Sequence, residues 1–141
     1  MKLKVFVDTN VFIYAFEYRD SNSAKVIDLL NKGLIEVFVS GQVVKEIVRY
    51  FERFHSNELA RLFRQFLYGS CVVVLHDAVH FKMQEFRGQI KEKDLEQLTV
   101  AKMLGLKYLV AYDRDFDGFS EYITPKKFIK MMKHKESQTE Y

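Results

Sequence analysis

The chain has 141 residues and a formal net charge of +3, from 22 Lys and Arg against 19 Asp and Glu. Its 48% hydrophobic and 29% charged content, with one Pro and 6 Gly, is that of one globular domain and excludes an extended disordered or low-complexity chain. A single cysteine, Cys71, excludes an intrachain disulfide and a thiolate zinc cage, and the charge excess alone does not announce a nucleic-acid binder.

In chain order, the apolar run after Met1-Lys2-Leu3-Lys4 stops at Asp8, too short for a signal peptide. No later run approaches the ~18 residues of a membrane span. The expectation is a soluble, cytoplasmic protein without membrane attachment. Leu3–Val7, Ile35–Val39, Cys71–Leu75 and Tyr108–Ala111 are short, Val-rich and nearly continuous in apolar residues, as strands buried on both faces are. Ile123 marks a fifth, edge strand. Between them, helical spacing runs through Ala24, Ile27, Leu30 and Leu34 behind Ser21 or Asn22. It recurs from Val43 to Phe54 behind Ser40, and from Leu59 to Leu67 behind Ser56 with Gly69 as a stop. Phe81–Phe86 and Asp94–Leu104 continue the pattern, the second ended by Gly105, and Thr124-Pro125 starts a last helix. This alternation predicts an α/β fold of three layers, α/β/α, around a mostly parallel sheet of 4–5 strands. Residues 1–133 form the expected domain, and 134–141 a polar, frayed C-terminal tail.

Four acids stand where a carboxylate needs a reason. Asp8 and Asp113 follow strands one and four, at the end where parallel sheets bind ligands, although Asp8 also suits a helix N-cap. Glu46 flanks the Val43/Ile47/Phe51 stripe, or pairs with Arg49 or Arg53 on the surface. Asp94 heads a helix whose line of Leu98, Ala101 and Gly105 implies close packing, and an acid in a first turn also suits the helix dipole. If the four converge, their repulsion calls for a hard divalent cation with oxygen ligands.

This ordered set resembles the PIN-domain ribonucleases, and in size the VapC-type toxins of prokaryotic toxin–antitoxin pairs. Val5-Phe6-Val7-Asp8-Thr9-Asn10 matches the family's opening strand and Asp-Thr-Asn. Ser40-Gly41-Gln42-Val43-Val44-Lys45-Glu46, Asp94–Ala101 and Ala111-Tyr112-Asp113-Arg114-Asp115-Phe116 match its later acids in order. The resemblance implies an endoribonuclease dependent on Mg²⁺ or Mn²⁺, with Asp8, Asp94 and Asp113 as metal ligands and Glu46 completing the pocket. Asn10 and Thr9 would fix the Asp8 carboxylate by hydrogen bonds, a support that metal ligands commonly receive. It implies an RNA substrate and admits an antitoxin protein as partner. Asp115 competes with Asp113 as the closer ligand. Ala111 stands where the family usually has Ser or Thr, which keeps open a catalytically weak or inactive RNA- or protein-binding module.

Other signals compete. His76 and His80 have zinc-gripping spacing, yet Asp77 is expected to cap a helix and leave His76 outside it. A strand-end Asp8 also fits a phosphoryl acceptor, though the second Asp of phosphatase loops is missing. Basic residues from Lys45 to Arg64 and from Lys126 to Lys135 either track an RNA backbone or are solvated helix faces. Aromatic content of 15% suggests surplus apolar surface, hence a homodimer through the helices near Phe51–Phe66.

Overall fold

The computed structural model describes residues 2–141, so of the expected domain only Met1 lies outside the described residues. Among the described residues, five strands alternate with seven helices. They are β1 Leu3–Val7, α1 Thr9–Glu17, α2 Asn22–Asn31, β2 Ile35–Ser40, α3 Gly41–Phe54, α4 Asn57–Ser70 and β3 Val72–Val74. These are followed by α5 His76–Met83, α6 Glu92–Met103, β4 Tyr108–Val110, a 3-10 turn Arg114–Phe116, β5 Tyr122–Ile123 and α7 Pro125–Met131.

The sheet runs β3-β2-β1-β4-β5, and every neighbouring pair is parallel. Val5, Phe6 and Val7 of the central strand are wholly buried, the consequence of helices on both faces. From β1 the chain steps outward to β2 and β3, then returns to place β4 on the other side of β1. Right-handed crossovers therefore put α1–α4 on one face and α5–α6 on the other. The reversal makes β1 and β4 a topological switch point, with a crevice beyond their carboxyl ends. Asp8 and Asp113 stand there.

Local chemistry sets the helix limits. Ser21, Ser40, Ser56 and Thr124 each accept a hydrogen bond at a helix N-terminus, from Ala24, Val43, Leu59 and Lys127 respectively. Gly105 at φ +61° turns the chain after α6, a conformation that glycine adopts without a Cβ clash. The face of α3 is fixed by Phe51, fully buried and stacked on Phe63 of α4 at 4.0 Å between ring centroids. Helix α6 is buried along Asp94–Ala101 and packs against β1, β2 and β4.

Three expectations are corrected. Gly69 does not stop α4: the helix runs to Ser70, and the Cys71 amide closes it on the Leu67 carbonyl. His76 lies inside α5 as its first residue, with Leu75 rather than Asp77 at the cap position. Residues 134–141 are not frayed. Asn22, wholly buried, spends its side-chain amide on them, donating to the Ser137 carbonyl at 3.2 Å and accepting from the Ser137 amide at 2.8 Å. The Asn22 amide donates to the Tyr141 carbonyl at 2.9 Å, and the Tyr141 ring packs 4.7 Å from that of Tyr14.

Candidate metal centre

Asp8 follows β1 directly, and its amide extends the sheet by donating to the Val110 carbonyl at 3.0 Å. Its backbone has the extended N-cap conformation, yet its carboxylate makes no capping hydrogen bond to α1. That leaves a 4% exposed carboxylate facing the crevice. Burial pushes its pKa up to about 7, opposed in part by the Thr9 amide and reinforced by Glu46, Asp94 and Asp113.

Asp94, in the first turn of α6, is also 4% exposed. Burial, followed by the Asp113 charge, pushes its carboxyl up to about 6. Its Oδ2 is buried with no hydrogen-bond partner. Asp113 caps the 3-10 turn, its Oδ1 accepting from the Asp115 amide at 2.9 Å. One carboxylate oxygen each of Asp94, Asp113 and Asp115 lie within 4.8 Å of one another. Thus the loop after β4 delivers Asp113 and Asp115 to the head of α6. Glu46, on the second turn of α3, reaches the same crevice rather than pairing with Arg49 or Arg53.

Several support roles differ from those expected. Thr9 Oγ1 donates to Glu46 Oε1 at 2.7 Å, so it fixes Glu46 and not Asp8. Among the described residues, Asn10 makes no side-chain hydrogen bond to Asp8. Two lysines join the cluster. Lys93 Nζ, on an exposed side chain, lies 3.7 Å from Asp94, 3.8 Å from Asp113 and 3.4 Å from Asp115, and the Asp94 charge leads in raising its pKa. Lys91 Nζ lies 3.3 Å from Asp115. Burial works to raise the Asp115 carboxyl, but these two ammoniums outweigh it and hold it below the usual range. Asp8 and Glu46 have no cation among the described residues. The alternating run Lys91-Glu92-Lys93-Asp94 is the only sequence signal for this pairing.

Among the described residues, His76 and His80 belong to no group of three metal-capable side chains. His76 Nδ1 pairs with Glu96 Oε1 at 2.8 Å, and Glu96 Oε2 accepts from the Gln42 amide at 2.9 Å. Glu96, 3% exposed, thus ties α5 to the N-terminus of α3 beside the crevice. Nothing in the sequence separates it from the solvated acids around it.

The donor set fits a hard divalent ion. Three carboxylate oxygens of suitable spacing converge, and no softer ligand is among them. A profile of the PIN domain matches residues 5–121, most of the chain. The chain belongs to the PIN domain family. Its fold recurs in solved structures. A chain of a toxin–antitoxin complex from Klebsiella pneumoniae is 17% identical, with a TM-score of 0.68 over 86% of this chain and 97% of that one. A chain of VapBC2 from Rickettsia felis, bound to a promoter DNA fragment, is 18% identical with a TM-score of 0.67, again over 86% and 97%. VapC20 of Mycobacterium tuberculosis, a sarcin-ricin loop cleaving toxin, is 20% identical with a TM-score of 0.60 over 83% and 97%. No curated protein matches the sequence. Among the described residues of this PIN domain, no helix is long and apolar enough to cross a membrane.

Proposed function

We propose that this PIN domain is an endoribonuclease that uses Mg²⁺ or Mn²⁺, with Asp8, Asp94 and Asp113 as the metal ligands. The observation that carries the reading is the meeting of Asp94, Asp113 and Asp115 oxygens within 4.8 Å; Asp8 is not of that group and joins it as a buried carboxylate on which the Glu46, Asp94 and Asp113 charges act. A bound divalent ion supplies a more acidic water and a positive charge facing the scissile phosphate. The chain does the rest. Asp8, held at the end of β1, and Asp94, held at the head of α6, fix two ligand directions on rigid elements. Asp113 is oriented by its bond to the Asp115 amide. Glu46, steadied by Thr9, keeps a carboxylate at the crevice where it can accept a proton from the attacking water. Asp115 completes the acidic rim, and Lys93 spans three of the carboxylates as their counter-ion.

The toxin role in a toxin–antitoxin pair is supported by the likeness to the Klebsiella and Rickettsia complexes. A largely apolar groove of about 360 Å³ between α1, α2 and α4, lined by Phe12, Phe16, Leu62 and Phe63 with Asp28 at its wall, offers an antitoxin a seat. Exposed Phe54, Leu62 and Tyr68 fit the homodimer through α3 and α4.

The alternative, a catalytically weak binding module, draws on two features. Ala111, buried at the end of β4, puts no hydroxyl beside Asp113, and Lys91 and Lys93 already offset part of the charge. Cleavage of single-stranded RNA with Mn²⁺, comparing the native chain with Asp8→Asn, separates the two. The nuclease reading expects cleavage by the native chain and a loss of at least a hundredfold in Asp8→Asn, as removal of a principal catalytic group gives. Equal cleavage by both overturns the assignment.

A further inference from the structure

A second cavity, of about 450 Å³, opens between the loop after β4, α7 and residues 134–141, with Asp113 in its wall. That volume is in the range of pockets that hold small organic ligands, and Asp113 is common to its wall and to the carboxylate cluster. Its other walls have a consistent chemistry. Tyr112 presents a ring that is 38% exposed. The rings of Tyr14 and Tyr141 meet it edge-on at 6.0 and 5.6 Å, so the ring is braced rather than free to turn. Arg114 and Lys127 line the same space, and among the described residues neither joins an ion pair. Of the remaining acids there, Glu140 faces Lys126 at 3.4 Å, which leaves Asp117 against two cations.

We propose that this cavity is the subsite for a nucleotide flanking the scissile phosphate, with Tyr112 stacking on its base and Arg114 and Lys127 taking adjoining phosphates. The inference rests on the ribonuclease reading and adds the place where the strand is held. It gives the docked 134–141 segment a task. Asn22 fastens the segment, the segment seats Tyr141, and Tyr141 steadies the platform on which the base lies. A braced aromatic face beside unpaired cations is the arrangement that binds single strands with little sequence preference. Tyr141 is therefore a positioning residue.

The test is binding of a fluorescent single-stranded RNA 20-mer by the full chain in EDTA, read by anisotropy across a salt series. Arg114→Ala and Lys127→Ala are each expected to flatten the slope of log K against log salt by about 0.7, the contribution of one phosphate contact on a single strand. Tyr112→Ala is expected to weaken binding at least about fivefold with the slope unchanged, while Tyr112→Phe keeps the native affinity. Lys32→Ala, whose ammonium pairs with Asp28 far along α2, is the charge control and is expected to change neither. If Arg114→Ala, Lys127→Ala and Tyr112→Ala all behave like Lys32→Ala while the native chain binds and cuts RNA, the subsite is wrong and the nuclease stands. If RNA binds through these residues but Mn²⁺ yields no cleavage, the subsite stands and the nuclease reading falls. A native chain that binds no RNA overturns both.

Discussion

Asp8 and Asp94 are held where an ionised carboxylate is expensive; Asp8 has no cation among the described residues, and Asp94 has only the exposed Lys93 at 3.7 Å. The sign of the consequence is fixed. A carboxyl whose pKa rises on folding, from 3.8 to about 7 for Asp8 and to about 6 for Asp94, binds its proton more tightly when folded. Its contribution to stability is therefore full below pH 4 and is lost as pH rises toward 7. Without divalent metal, Asp8→Asn should be more stable than the native chain by on the order of 2 kcal/mol at pH 8, with the gap closing toward pH 4. Thermal melts of both proteins across that range check it; a gap independent of pH would show that the Asp8 charge is not the strained element. These acids were legible in the sequence because each follows a strand or opens a helix within an ordered pattern. Their supports were not. Thr9, the sequence neighbour of Asp8, reaches Glu46, 37 residues on, from the start of α1. Lys93 and Glu96 look like ordinary surface charges until α6 is placed.

Among the elements, the strands and most helix starts follow from local chemistry: Val-rich runs between hydroxyl caps and glycines. The caps carry measurable weight. Ser40 is wholly buried, and its Oγ accepts from the Val43 amide, so Ser40→Ala should lower unfolding free energy by about 1 kcal/mol and shift the urea midpoint accordingly. Gly105→Ala forces a Cβ onto φ +61° and should cost a further ~1 kcal/mol in the same assay. Gly69→Ala, by contrast, lies in a helix with open space at the Cβ position and should stabilise by about 0.5–1 kcal/mol. That contrast explains why Gly69 misleads as a stop signal: a glycine ends a helix only when the chain needs its positive φ. His76 misled in the same way, since its place in α5 is set by Glu96 from another helix.

At the scale of the molecule, the parallel sheet and its reversal at β1 and β4 bring four distant segments to one edge. Alternating strands and helices made that architecture legible. The docking of residues 134–141 was not, because it depends on one buried Asn22 bonding backbone atoms 115 positions away, which leaves no pattern in composition. Apolar area left uncovered on α3 and α4 should make the chain associate, and a mass near two chains in sedimentation at micromolar concentration is expected; a single-chain mass would remove the homodimer. The proposed function requires distant carboxylates to gather and hold a divalent ion. Calorimetric titration of Mn²⁺ into the native chain and Asp94→Asn at pH 8 tests that most directly. Saturable binding by the native chain, weakened at least about tenfold in Asp94→Asn, is the expected result, since a lost ligand removes part of the binding free energy outright. Equal binding by both proteins, or no saturable binding by the native chain, would contradict it.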